Sequence, residues 1–191
     1  MASHGFTVLY DACVLFPAPL RDLLMRLALR DLFRARWTQR IHEEWIRNAC
    51  HKRPTLNRTS LEHVAALMNQ AVLDCLVEGY EPLMSGLTLP DENDRHILAA
   101  AIKGQTEVIV TFNLKDFPTK FLMTFGIQAQ HPDNFISQLI DLKPSEVLAA
   151  AKQQRLALRN PPKMVDAYLD SLLRQGLPNT VAFLKDNAEL I

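Results

Sequence analysis

Residues 89–101 read LPDENDRHILAAA, and residues 108–117 read VIVTFNLKDF. In the first stretch a carboxylate opens an apolar helix, and in the second a short apolar strand ends in a turn that contains Thr111, Asn113 and Asp116. Because the carboxyl ends of parallel strands meet at one edge of a sheet, this pattern gathers acidic and amide oxygens there. Such oxygens bind a hard divalent cation, and the cation suggests phosphodiester chemistry.

The composition indicates a globular protein of the reducing interior of a cell. The chain has 191 residues and is 48% hydrophobic, enough for a full core. Its three cysteines form no CxxC pair, which argues against a disulfide framework. No apolar run approaches the ~20 residues that span a bilayer, and the N-terminus lacks the pattern of a signal peptide. We therefore expect a soluble cytoplasmic protein with no membrane contact.

The formal net charge is zero, but the charges are unevenly distributed. Residues 20–58 hold ten Lys/Arg and four Asp/Glu, whereas residues 59–96 hold one Lys/Arg and seven Asp/Glu. A basic segment next to an acidic one suits a protein that binds a cation in one place and a polyanion beside it. Randomly placed solvated charge on helices would give the same pattern, so charge alone does not decide.

The order of predicted elements is that of an α/β protein with a parallel sheet. Strands are predicted at residues 6–10, 107–111 and 127–129, with a strand entry at 87–89. Three helices are predicted to begin at Pro17, Thr38 and Ser60. A fourth helix is predicted to end at about Lys103, and a fifth to occupy 132–142. From Pro144 the pattern is helical only. We expect one domain at 1–142 and a helical extension at 143–191.

Four acidic positions and one amide form the candidate site. Asp11 ends the first strand, Glu44 lies in the helix that Thr38 begins, and Asp94 lies in the first turn of the central helix; Asn113 and Asp116 follow the 107–111 strand. Each has a structural alternative as a cap, a turn former or a solvated carboxylate, and Glu43 rivals Glu44. Asp91 and Glu92 are taken as caps, and His42 and His96 as surface or rim side chains.

Together these residues resemble a PIN-domain ribonuclease of the kind found as VapC-like toxins in toxin–antitoxin pairs. The resemblance covers roughly residues 5–142 and rests on four motifs, whose order and spacing are more specific than any one of them. The motifs are Tyr10–Asp11, Thr38 to Trp45, Asp94 to Ala101, and Thr111 to Phe117. The extension from residue 144 resembles the helical tail of a longer subgroup of these toxins.

The resemblance implies a twisted five-stranded parallel sheet flanked by helices and a Mg²⁺- or Mn²⁺-dependent endoribonuclease. Its catalytic acids would be Asp11, Glu44, Asp94 and Asp116, and the same four with Asn113 would bind one or two metal ions. It also implies an RNA substrate, a cognate antitoxin and a homodimer.

Two other classes of function remain open. The first is a catalytically silent PIN-like module that binds RNA or protein, and the second is a DNA-directed nuclease of the same wider fold. The chain has no GxGxxG after its first strand, which argues against a Rossmann dehydrogenase, and it has no GxxxxGK[ST], which excludes a P-loop NTPase. Within the basic segment, Arg34, Arg36 and Arg40 are the best candidates for RNA contacts.

Overall fold

The computed structural model describes residues 5–191 and contains a parallel β-sheet. Within the described residues the sheet has four strands in the order β2-β1-β3-β4, all parallel. The strands are β1 Thr7–Tyr10, β2 Arg34–Arg36, β3 Val108–Val110 and β4 Gln128–Gln130. The resemblance implies five strands, whereas the described residues form four. A single parallel bridge between Trp37 and Leu76 extends the sheet beyond β2.

The two central strands are apolar because both faces of the sheet are covered. Val8, Leu9 and Tyr10 of β1 have no solvent exposure, and all three residues of β3 are buried. Leu9 pairs with Ile109, so the residues that follow β1 and β3 emerge at the same edge. The predicted site residues Asp11, Asn113 and Asp116 follow these two strands at that edge.

The chain divides into two compact units. The first comprises the residues up to Phe16 together with Phe33–His131. Besides the sheet it contains α1 Ala12–Leu15, α3 Gln39–Lys52, α4 Arg58–Ala71, α5 Arg95–Lys103 and α6 Thr119–Leu122, with 3₁₀ turns at Glu81–Gly86, Glu92–Asp94, Leu114–Asp116 and Met123–Phe125.

Local chemistry explains where the two helices that carry site residues begin and end. The Thr38 side chain accepts a hydrogen bond from the Ile41 amide and caps α3. Helix α5 is followed by Gly104, where a Cβ would lie 3.0 Å from both the Ala100 carbonyl oxygen and Val77 Cγ2. A larger residue would require these neighbours to shift, which favours glycine at the position after α5.

The second unit is helical and comprises Pro17–Leu32 and Pro132–Ile191. The helices α2 Ala18–Ala28 and α8 Pro144–Ala157 pack together, as do α7 Pro132–Leu142 and α10 Pro178–Asp186. Asp133, which is buried, accepts hydrogen bonds from the backbone amides of Asn179 and Thr180 at 2.9 Å and so caps α10. The unit also contains α9 Val165–Leu173 and a 3₁₀ turn at Ala188–Leu190.

The predicted fold class is confirmed: a parallel sheet is flanked by helices and followed by helices only. The strand entry predicted at 87–89 was wrong, since these residues form no strand, and β2 was not predicted. The boundary between residues 142 and 143 stays a prediction; the compact units place 17–32 and 132–142 with the C-terminal helices. Within residues 5–191, no helix is both long and apolar enough to cross a membrane.

Candidate functional site

Asp11 follows β1 directly and is nearly buried, at 6% exposure. Its backbone amide donates to the Val110 carbonyl, which ties the residue to the end of β3. Its Oδ2 accepts two hydrogen bonds, from Thr111 Oγ1 at 2.6 Å and from Cys13 Sγ at 3.0 Å. The carboxylate is therefore held in one orientation by donors from two neighbouring strand ends.

Glu44 lies on α3, and its side chain is 19% exposed. Its Oε1 accepts from His96 Nε2 at 3.1 Å and from Arg40 Nε at 3.2 Å. Burial acts to raise the pKa of Glu44, but the hydrogen bonds and charges of His96 and Arg40 outweigh it and hold that pKa below its ordinary value. Glu44 is thus an ionised acid linked to the helix that follows Asp94.

Asp94 ends the 3₁₀ turn Glu92–Asp94 and precedes α5. Burial and the negative charges of Asp11, Asp91 and Asp116 raise the pKa of Asp94 to about 6. The charges of Asp11 and Asp116 act here although each belongs to a different part of the sequence. Asp94, Asp11 and Asp116 are therefore brought to one electrostatic environment. Asp91 caps the turn, as predicted, by accepting a hydrogen bond from the Asn93 amide, and its charge also acts on Asp94.

Asn113 and Asp116 lie in the turn after β3. The Asn113 amide donates to Thr111 Oγ1 at 2.9 Å, and the Asp116 amide donates to the Asn113 carbonyl. Asp116 is half-buried and its charge reaches Asp94, whereas Asn113 is exposed. The turn thus brings Asp116 toward the acids, while Asn113 is held in the turn through its backbone.

The side-chain oxygens of these residues suit a hard cation, but the side chains do not converge into a complete set of metal ligands. Within residues 5–191 no three His, Cys, Asp or Glu side chains converge as a group that could hold a metal ion. Carboxylate and amide oxygens are nevertheless the ligands that Mg²⁺ and Mn²⁺ prefer, and a cation would relieve the repulsion that raises the pKa of Asp94. The five-residue ligand set stays a prediction.

The three candidate arginines occupy different positions relative to the acids. Arg34 begins β2 and is exposed, at the end of the strand away from the acidic edge. Arg36 ends β2, and its Nη1 donates to the Asp74 carbonyl at 2.8 Å. Arg40, on α3, contacts Glu44 and is 43% exposed. Of the three, Arg40 is adjacent to the predicted acids.

Two histidines expected at the surface are buried instead. His96 is 2% exposed and bonds Glu44, and His42 is fully buried, where its Nδ1 accepts from Trp45 Nε1 at 2.9 Å. Asn69 Oδ1 completes this second network by accepting from Trp37 Nε1. One sequence signal could have indicated the burial of His96. The run from His96 to Ala101 is apolar apart from the histidine, which is typical of a helix segment buried on all sides.

A four-stranded parallel sheet with carboxylates at the edge where its strands end places the chain in the class of PIN-like α/β proteins. The family model described as "PIN domain" matches residues 7–115, more than half of the chain. The chain belongs to the PIN-domain family. A second family model, described as "VapC50 C-terminal domain", matches residues 132–186, so the predicted resemblance to VapC-like proteins with a helical extension is confirmed.

One curated relative extends this finding. The protein of Mycobacterium tuberculosis (strain ATCC 25618 / H37Rv) named "Putative ribonuclease VapC50" is 38% identical over 97 residues. The match covers 51% of this chain and 57% of the relative, so the chain spans little more than half the length of the curated relative it matches. No solved structure gives a significant match.

Proposed function

We propose that this chain is a Mg²⁺- or Mn²⁺-dependent endoribonuclease that hydrolyses RNA phosphodiester bonds and acts as the toxin of a toxin–antitoxin pair. Membership of the PIN-domain family and the name of the mycobacterial relative support this proposal. The observation that carries it is the position of Asp94, whose pKa is raised first by burial and then by the charges of Asp11, Asp91 and Asp116. Like charges gathered at a sheet edge destabilise a fold, so their presence indicates a cation-dependent function.

Each residue of the candidate site would have its own role in this reaction. Thr111 and Cys13 bind Oδ2 of Asp11 and so fix the direction of its other oxygen. His96 and Arg40 keep Glu44 ionised and oriented. Asp94, with its pKa near 6, becomes an available anion only toward neutral pH. A bound divalent ion would supply positive charge for the phosphate and would lower the pKa of water.

The partners follow from the same proposal. We propose RNA as the substrate, a cognate antitoxin as the regulator, a homodimer as the assembly and the cytoplasm as the location. The exposed basic residues of β2 and α3 support the RNA partner, since phosphate contacts require cationic side chains. The match of residues 132–186 to a domain named after VapC50 supports the toxin class.

Cleavage of a purified tRNA by the full chain tests the proposal. We expect cleavage with Mg²⁺ or Mn²⁺ and none with EDTA. Asp11→Asn and Asp94→Asn should each lower the rate by roughly 10²-fold or more, because each removes charge from the predicted cation site. Asp141→Asn is the matched control, since Asp141 is exposed in the helical unit.

Calorimetric titration with Mn²⁺ separates the competing functions. An active nuclease should bind Mn²⁺, and both site variants should lose that binding. RNA binding without Mn²⁺ binding or cleavage would instead establish the catalytically silent module. Faster cleavage of a DNA flap than of RNA would establish the DNA-directed alternative.

A further inference from the structure

A cavity of about 350 Å³ lies at the amino edge of the sheet in the first unit. Thr106 and Glu107, which precede β3, line it together with Ile127, which precedes β4. Residues from the last turn of α5 and from the 3₁₀ turn Met123–Phe125 complete the lining. Because the predicted acids of the sheet follow β1 and β3 at the carboxyl edge, this cavity is separate from the candidate site.

Thr106 supplies the first sign that the cavity has an occupant. It lines the cavity and is 4% exposed, yet its hydroxyl oxygen has no hydrogen-bond partner in the described part of the chain. Its backbone amide donates to the Ala101 carbonyl at 2.9 Å, which holds the residue in place. A buried hydroxyl without a partner costs free energy, and native proteins ordinarily provide one. A ligand that donates a hydrogen bond would supply the missing partner.

The polar part of the cavity is negative. Glu107 is the charged residue among the described residues that line it, and its Oε2 accepts from the Thr7 amide at 2.6 Å, which fixes the carboxylate. A carboxylate can accept further hydrogen bonds, and the carboxyl end of α5 adds partial negative charge. The Lys103 side chain lies toward Gly79 instead, with its Cε 3.9 Å from where a Cβ of that glycine would lie. The cavity therefore favours a cation that donates hydrogen bonds.

The apolar part of the cavity continues into an exposed apolar surface. Ile127 is buried and forms a wall, whereas Phe125 is 43% exposed and Met123, in the same 3₁₀ turn, is 68% exposed. Aromatic residues, methionine and arginine are enriched in protein interfaces, and an exposed apolar patch marks an interaction site. This surface favours a side chain presented by a protein over a free ion.

We propose that this cavity receives the guanidinium of an arginine that a partner protein presents, at the edge of the sheet opposite the acids. Arginine offers five N–H donors in one plane and no acceptor, which matches the Thr106 hydroxyl oxygen and the Glu107 carboxylate. Its flat guanidinium stacks on aromatic rings, which suits Phe125. The volume lies at the lower end of the range of ligand sites and holds one side chain. The proposal goes beyond the nuclease function and does not depend on RNA cleavage.

NMR titration of the ¹⁵N-labelled full chain with N-acetyl-arginine amide tests the proposal. Excess Mg²⁺ is present so that it competes for the acidic edge. We expect the amide signals of Gln105, Thr106 and Gly126 to shift as the compound is added. N-acetyl-citrulline amide, which has a similar shape but no charge, should bind about tenfold more weakly, the loss expected when a hydrogen bond to a charged group is weakened. Acetyl-Leu-Arg-Leu amide should bind more tightly than the single arginine, because its apolar side chains can contact the exposed patch.

Two variants separate a binding role from a structural one. Thr106→Val keeps the shape of the side chain, so it should weaken arginine binding about tenfold. It should also raise the Tm of the ligand-free chain, because the buried hydroxyl has no partner there. Glu107→Gln should weaken binding of the arginine compounds but not of the citrulline compound. Thr119→Val is the matched control, since Thr119 is exposed in the same unit, and it should change neither affinity nor Tm.

Four outcomes would overturn the proposal. Shifts confined to the Asp94 and Asn113 amides would show that the cation binds at the acids instead. Equal affinity for the arginine and citrulline compounds, or unchanged affinity in both variants, would remove the role of charge and hydroxyl. Spermidine that shifts the same signals at lower concentration than the tripeptide would make the cavity a polyamine site. A Thr106→Val chain less stable than its parent would show that the hydroxyl has a structural role. Arginine binding by a chain that cuts no RNA would support this proposal and refute only the proposed function.

Discussion

At the residue scale, the orientation of Asp11 depends on a fixed set of proton positions. The Phe112 amide can only donate, so Cys13 Sγ accepts that hydrogen bond at 3.2 Å and its own proton points to Asp11 Oδ2. Thr111 Oγ1 likewise accepts from the Asn113 amide and donates to the same oxygen. Burial and the charge of Asp11 raise the pKa of the Cys13 thiol, which keeps its proton in place.

Cys13→Ala should therefore lower RNA cleavage about tenfold, because Asp11 loses one donor and Phe112 loses its acceptor. Cys13→Ser should restore most of the rate, since a hydroxyl can donate and accept in the same way. The rate constant of tRNA cleavage at saturating Mn²⁺ is the measurement. Cys50→Ala serves as the control, and an equal loss in that variant would show a general effect of cysteine removal.

The raised pKa of Asp94 predicts a pH-dependent loss of stability. The unfolded chain ionises Asp94 near its ordinary pKa of 3.8, whereas the folded chain ionises it at about 6. Between these values the folded state binds more protons, so stability falls as pH rises, and the full penalty applies above about pH 6. Asp94→Asn should thus raise Tm at pH 7.5 by about 2–4 °C, since solvent screening reduces the effect to roughly 1 kcal/mol.

Thermal unfolding without divalent ions measures this shift. The difference in Tm between the variant and the parent should shrink as the pH falls and vanish well below pH 3.8, where Asp94 is protonated in both states. Added Mn²⁺ should stabilise the parent but not the variant. A variant less stable than its parent at pH 7.5 would show that Asp94 contributes to folding rather than to a cation site.

At the element scale, sequence patterns predicted the helices and central strands and missed one edge strand. Apolar runs located β1 and β3, and Thr38 marked the start of α3, because burial and capping leave local signals. Strand β2 reads Arg-Ala-Arg and buries only Ala35, so its pairing with β1 forms it rather than any pattern of its own. The burial of His96 was also missed: it lies in the buried part of α5 from His96 to Ala101, where the other side chains are apolar.

The positions of the arginines give an element-scale prediction about RNA. Arg40 lies on α3 beside Glu44, whereas Arg34 begins β2 at the end away from the acids. In the Asp11→Asn background, Arg40→Gln should lower RNA affinity and reduce the slope of log K against log salt by about one, as expected for one lost phosphate contact. Affinity measured from 50 to 200 mM salt gives both quantities.

Arg34→Gln is the matched substitution at the opposite end of the strand and should change neither quantity. An equal loss in both variants would mean that RNA crosses the whole length of β2. A loss of affinity in Arg40→Gln at unchanged salt slope would mean that Arg40 acts by orienting Glu44 and not by binding phosphate.

At the scale of the whole molecule, helix α2 is covered by helices that lie far away in the sequence. It buries Leu20, Leu23, Leu24 and Leu27, and it packs on α8 and α9. A chain that ends at Leu142 lacks both partners, so we expect it to aggregate through the uncovered leucines. Size-exclusion chromatography of the truncated chain checks this.

A charge change on α8 provides the control for that truncation. Lys152 is exposed on α8, so Lys152→Glu in the full chain should leave it soluble. Arg155 of this helix donates to the Lys163 and Ile191 carbonyls, which favours a packing role for the extension. A truncated chain that stays soluble and cuts RNA at the full rate would instead make the extension a partner surface.

The pairing of α2 with α8 also sets an order of events during protein synthesis. Gln154 Nε2 donates to the Pro19 carbonyl, and these two residues are 135 positions apart. A ribosome adds roughly 5–20 residues per second, so α2 leaves it roughly 7–27 s before its partner exists. One of the first helices to be made is thus among the last to be buried. A chain whose synthesis stops before residue 144 would therefore carry this apolar face uncovered.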